Sequence, residues 1–208
     1  MVAFKFRGED DFCKHTLDII DKQRLYCADW TCLNDPMEAH FLFVRRSVAD
    51  ENAFLERLKR AKHGFKVCSL SAKFTSRLMW GHYAAGFRGV AIEVDLPDVD
   101  WIKPIDYREH IIRIDGSDYT CVEDEARDIL FTKYKVWCYE KEIRIQSSEE
   151  FYKLDKPIAR VIFGNRIKPE NLKQLETRCQ RMQFILCRAS LSDAGLQIDP
   201  YLPPDDRD

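Results

Sequence analysis

The stretch KYKVWCYEKEIRI, residues 133–145, decides how the second half of the chain is read. It sets Tyr134, Trp137 and Tyr139 among lysines, an arginine and two glutamates. Read as a strand from Cys138 onward, it turns Glu140, Glu142 and Arg144 to one face, because successive side chains alternate sides. The aromatics then form either a buried strand or a stacking platform. Glu123 and Glu125 have the same spacing, but VEDEARDIL reads as a helix, where residues two apart point in different directions. Only the strand placement makes the later pair a candidate site. The alternative is a charged strand in which Lys141 and Arg144 balance the glutamates.

Working outward, the periodicity changes often. EDDFCKHTLDIIDKQ carries apolar residues at 12, 13, 17, 19 and 20 and suits a helix with an acidic first turn. LYCA reads as a strand. LNDP reads as a turn, since Asn34 and Asp35 can bond their own backbone and Pro36 forces Asp35 out of the helical region. ENAFLERLKRAK is an amphipathic helix that Gly64 ends, and FKVCSLS is a strand. TSRLMWGHYAA is a helix stopped by Gly86, and RGVAIEVDL is a strand. CVEDEARDILFTKY is a helix, CYEKEIRI and ARVIFG are strands, KPENLKQLETRCQ is a helix and QFILCRA a last strand. Helices and strands mix without a strict βα repeat. That predicts one α+β domain over residues 1–195, with a mixed, largely antiparallel sheet and flanking helices. Residues 196–208 read as a polar, Pro-rich, frayed tail.

Composition narrows the function classes. Hydrophobic residues make up 45% of the 208, enough for a core. With 33 Lys and Arg against 35 Asp and Glu, no basic excess announces a nucleic-acid partner. No apolar run approaches the ~20 residues of a membrane span, and the first fifteen residues lack the apolar core of a signal peptide. The eight cysteines form no C-x-x-C pair, so paired-cysteine zinc sites are not indicated. A cytoplasmic protein with reduced, mostly buried thiols is expected. Neither G-x-G-x-x-G nor the P-loop pattern occurs.

Chemistry-bearing candidates lie elsewhere. In LMWGHYAAGFRGVAIEVDL, residues 78–96, Trp80, His82 and Tyr83 are either core with one satisfied histidine or an aromatic wall for a flat ring. Ser69 and Ser71 share a face of their strand. Arg7 ends the first strand, in FKFRG. An arginine on a first strand, S-x-S on a middle strand and E-x-E on a late strand resemble the element order of one class of ADP-ribosyltransferases. The chemistry accounts for the residue types. Arginine offers a fixed fork of donors to the pyrophosphate of NAD. The serines orient the glutamate. The second glutamate, here Glu142, bonds the nicotinamide ribose and stabilises the positive charge that develops as nicotinamide leaves.

At whole-chain level, FKFRG, LYCAD, LNDPMEAHF, CSLS, LMWGHYAAGFRGVAIEVDL, KYKVWCYEKEIRI and VIFGNRI follow one another as in a widespread bacterial family catalogued as domain of unknown function 2971 (DUF2971). The resemblance spans roughly residues 4–190, and its members look like relatives of ADP-ribosyltransferases and of toxin and phage-defence proteins. Its motifs fall on Arg7, Asn34, Asp35, Pro36, Ser69, Trp80, His82, Tyr83, Glu140, Glu142 and Arg144. The resemblance implies NAD as substrate, with Glu142, Glu140 and His82 catalytic. Arg7, Asn34, Ser69, Ser71, Trp80, Tyr83 and Arg144 would hold the nucleotide. It further implies an acceptor macromolecule and an antitoxin or defence-system partner. Two other readings stand beside it. One is a metal-dependent nuclease or hydrolase using His82 with Asp35, Glu93, Asp95 or Glu140. The other is a nucleotide-binding module without turnover.

Overall fold

Apolar residues, partly alternating in VAFKFR and nearly continuous in VAIEVD and RVIFG, drive three strands, Val2–Arg7, Val90–Asp95 and Arg160–Gly164, that pair antiparallel in one sheet. The computed structural model describes residues 1–35, 37–44, 51–115, 121–193 and 195–202. Its fold is α+β, with a mixed, mostly antiparallel sheet and flanking helices. No helix among the described residues is long and apolar enough to cross a membrane. The chain groups into two compact units. Residues 1–25, 70–98 and 153–208 form the first, and residues 26–69 and 99–152 the second.

The first unit is the more regular. Arg160–Gly164 also pairs parallel with Ile185–Ser192, and the helix Pro169–Met182 makes the crossover that a parallel pair requires. Proline opens that helix at a position where its missing N–H costs nothing. Gly195–Pro200 adds an antiparallel edge strand, so the expected frayed tail is ordered over those residues. The reason is ladder pairing: Leu196 stands opposite Leu191 and Ile198 opposite Ala189. The helix Arg77–Tyr83 starts at Ser76, whose hydroxyl accepts the Met79 N–H. A Cβ on Gly89 would stand 2.0 Å from the Arg7 carbonyl oxygen, so only glycine allows the Val90 strand to approach there.

The second unit is built from shorter pieces. Lys66–Ser71 pairs with Ala28–Asp29 and with Glu142–Ser147, and Glu142–Ser147 pairs antiparallel with Ile102–Pro104. Two small parallel pairs join Thr132–Tyr134 to Asp106–Arg108 and Phe41–Val44 to Ile112–Asp115. The helices Glu51–His63 and Val122–Leu130 bury Phe54, Leu58, Val122, Ala126, Ile129 and Leu130 in one apolar cluster with Ile114. The first predicted helix is a π-helical turn, Cys13–Leu17, running into a short α-helix, Asp18–Lys22.

The stretch 133–145 departs from its reading. Thr132–Tyr134 is a strand and Lys135–Glu140 is a 3₁₀-helix. Lys141 takes a left-handed conformation, φ 45°, and the strand begins only at Glu142. Glu140 and Glu142 are therefore not neighbours on one pleated face.

Candidate functional site

Glu142 and Arg144 remain two apart on a strand and do share a face. Both are fully buried, with Glu142 2% exposed and Arg144 not at all. Arg144 donates from Nε and Nη2 to Glu142 Oε1 at 2.9 and 2.6 Å, from Nη1 to the Leu130 carbonyl, and from Nη2 to Glu38. Lys133, also buried, donates to Glu140 Oε2 at 2.7 Å and Glu142 Oε2 at 3.1 Å, and lies 3.8 Å from Glu38. Its ammonium also sits 5.1 Å from the Trp137 ring centre. The Ser69 hydroxyl hydrogen-bonds the Glu142 carboxylate. The Tyr107 phenol oxygen accepts the Glu142 N–H at 2.8 Å. Burying five ionisable groups costs far more than a surface ion pair unless each is met by partners. Here the left-handed turn at Lys141 lets Glu140 and Glu142 reach the same ammonium from two different elements.

The charge states follow from these contacts. Burial pushes the Glu142 carboxyl up, but Arg144 and Lys133 outweigh it and hold it below its ordinary range. Burial dominates at Glu38 and raises it, so Glu38 holds a proton more readily than an ordinary carboxyl. Burial lowers Lys133, but Glu142, Glu38 and Glu140 more than reverse that and fix it as a cation. Burial pushes the Tyr107 phenol up to about 12, keeping it neutral.

A cavity of about 260 Å³ opens in the same unit. Its walls include Asp35, His40, Arg108, His110, Lys133 and Tyr134. Lys133 thus belongs to the cavity wall and to the carboxylate network. Glu140 and Glu142 do not line the cavity. Asp35 caps the turn after it, its Oδ1 accepting the Met37 N–H at 2.9 Å, as the LNDP reading expected. Asn34 is exposed, and Pro36 lies outside the described residues.

The remaining site candidates divide between the units. Ser69, Glu140, Glu142 and Arg144 meet in the second. In the first, Trp80 is core and not a ligand wall. It is fully buried, stacked on Phe87 at 5.1 Å, edge-on to Phe6 at 5.5 Å, and bonded from Nε1 to the Phe74 carbonyl at 2.7 Å. All its surface is spent on the protein, which leaves none for a nucleotide. Ser71 closes a local turn, donating to the Lys73 carbonyl and accepting the Lys73 N–H. His82 is exposed, with its ring 6.2 Å from that of Tyr83, and Arg7 is half-buried.

Three of the four carboxylates of the metal reading are bound to cations, Asp35 being the exception. Glu93 pairs with Arg160, Asp95 with Lys156, and Glu140 with Lys133. Among the described residues, no group of three or more His, Cys, Asp or Glu side chains is placed to hold a metal ion. The described cysteines, at 27, 32, 68, 121, 138, 179 and 187, carry free thiols.

Sequence reasoning missed Glu38, Lys133 and Tyr107 as members of the network. Glu38 stands in the quoted motif LNDPMEAHF and Lys133 opens KYKVWCYEKEIRI, but neither spacing links them. The available signal was an excess of charge inside segments otherwise rich in aromatic residues. No protein-family model matches the chain, and no curated protein or solved structure matches it either.

Proposed function

We propose that this protein binds a nucleotide of the NAD class, and that the cavity of the second unit takes a sugar-phosphate end of it. The observation that carries this reading is Lys133. Lys133, whose ammonium is held as a cation by Glu38, Glu140 and Glu142, is one of the residues that line a cavity, together with Arg108, His40 and His110. At about 260 Å³ the cavity falls just below the ~300–1,000 Å³ of whole-ligand sites. It suits one end of a dinucleotide better than the whole.

A second reading is favoured by the bond from Ser69 to Glu142. It is the serine-to-glutamate contact of the ADP-ribosyltransferase scheme, and it supports NAD cleavage with transfer to an acceptor, in a toxin or phage-defence setting. Against turnover in this conformation, both Glu142 oxygens are already engaged by Arg144 and Lys133. A carboxylate with its lone pairs filled cannot also bond a ribose hydroxyl. Cleavage would need Lys133 to leave Glu142 for the phosphate.

Calorimetry with NAD, alongside chromatography of released nicotinamide with and without chelator, tests both. Saturable binding without nicotinamide supports the binding reading. Release of many equivalents, unaffected by chelator, supports the transferase. No binding and no release up to millimolar NAD overturns both.

A further inference from the structure

We propose that two copies of this chain pair through the strand Gly195–Pro200, antiparallel about a two-fold axis at Ile198. That strand ends the sheet, and no described residue pairs with its outer side. Its inner partner fixes where its backbone groups point. The Tyr201 N–H donates to the Leu186 carbonyl, which makes Leu186 and Tyr201 a hydrogen-bonded pair. Every second pair along the ladder is of the same kind, so Arg188 with Asp199 and Ser190 with Gln197 follow. The N–H and C=O groups of Leu196 and Ile198 therefore point away from the sheet, as does the Pro200 carbonyl. Such an edge is a template for another strand. One face beside it is apolar and uncovered. Leu196 stands opposite Leu191 and Ile198 opposite Ala189, so these four share a face, and Ile185 joins them by alternation. Ile185 is 59% exposed and Leu191 49%. The helix Pro169–Met182 lies on the other face, where the Tyr201 hydroxyl donates to Glu176.

The side chains select a second copy as the partner. Centred on Ile198, the symmetric register sets Ile198 against itself, Leu196 against Pro200 and Gln197 against Asp199. The two Ile198 residues exchange both backbone bonds, and each Leu196 N–H reaches the Pro200 carbonyl of the other copy. Nothing in this register depends on the N–H that Pro200 lacks except one bond to each Leu196 carbonyl. Asp199 is the only charged residue of GLQIDP, and here it meets an amide that donates to it. No like charges stand opposite each other. The apolar face continues from one copy into the next, through Leu196 and Ile198. A closed two-fold pair uses up both edges, so it does not grow into a fibre. Moving the axis to Gln197 would set two amides against each other and leave Asp199 opposite Gly195.

The test is sedimentation equilibrium of the full chain, unmodified and with Gln197→Lys or Gln197→Glu. Gln197 is exposed, so neither change touches the core. The unmodified chain should be a dimer at micromolar concentration. Gln197→Lys faces Asp199 with a cation and should tighten the dimer about ten-fold, the effect of one cross-strand charge pair made twice. Gln197→Glu faces it with a like charge and should loosen the dimer by a similar factor. Adding Asp199→Asn to Gln197→Glu should restore the unmodified affinity. A chain that stays monomeric up to millimolar concentration overturns the proposal. So does a dimer that neither single variant changes. Loosening by both single variants also overturns it, because that is the sign of two Gln197 side chains facing each other.

Discussion

The two units centre on opposite chemistries. The first is organised by aromatic stacking around Trp80, with Phe6, Phe74 and Phe87 in contact. The second places Glu38, Lys133, Glu140, Glu142 and Arg144 inside, next to a cluster of aliphatic side chains and phenylalanine. Trp80 and Arg144, at the middle of the two centres, are both fully closed to water. The difference is in what happens when one member is lost. An aromatic centre loses contact area and leaves a cavity. An ionic centre leaves an unpaired buried charge, a penalty that falls on the partners that remain. Apolar residues of similar volume would hold a core at no greater cost. A network of this kind is therefore weak as a stability device and more readily understood as the support of a site.

The largest expected effect follows from that asymmetry. Arg144→Ala should cost about 3–5 kcal/mol in urea denaturation, because Glu142 and Glu38 lose their shared guanidinium. Glu142→Gln should also destabilise strongly, so its activity has to be read against a folding control. A loss under about 1 kcal/mol for Arg144→Ala would show that the network is solvated in solution, and the contrast between the units would disappear.

Trp80→Ala should cost a similar ~3–5 kcal/mol through cavity formation. His82→Ala, two residues on and exposed, should stay within about 0.5 kcal/mol. Comparable losses in both would make the whole helix packing.

Acid–base behaviour separates the centres next. The folded Glu38 carboxyl lies above its ordinary 4.5, so the folded state binds that proton more tightly. Its contribution is complete below 4.5 and is lost as pH climbs through the folded value. Glu142 lies below 4.5 when folded, so its contribution is present above 4.5 and lost as pH falls. Unfolding free energies measured from pH 4.5 upward should fall in the unmodified protein by at most about 1.4 kcal/mol per pH unit, the slope of one proton. In Glu38→Gln that decline should flatten. An unchanged slope would remove Glu38 as the proton holder.

The last effect is a small gain in the first unit. Gly81 lies within the helix Arg77–Tyr83, and a Cβ there would meet nothing within 4 Å. Gly81→Ala should raise stability by about 0.5–1 kcal/mol by thermal denaturation. A loss would show that the WGHY turn needs glycine for a reason beyond propensity.

By itself the sequence determined the α+β class and most of the longer elements, because their apolar period is a local property. The helices 51–63, 122–130 and 169–182, and the strands at 90–95 and 160–164, were legible for that reason. So were the Asp35 turn and the pairing of Glu142 with Arg144 on one strand face. The break at Lys141 was not, since KVWCYE has apolar residues that serve a strand or a 3₁₀-helix equally well. Nor was the order of residues 195–200, which comes from a neighbouring strand and not from their own propensity. Only the tertiary structure decided that Glu38, from a turn a hundred residues away, completes the guanidinium contacts of Arg144, and that Lys133 joins three carboxylates to a cavity wall. Charge is written in the sequence as composition, but whether it is solvated or buried depends on which distant segments close over it.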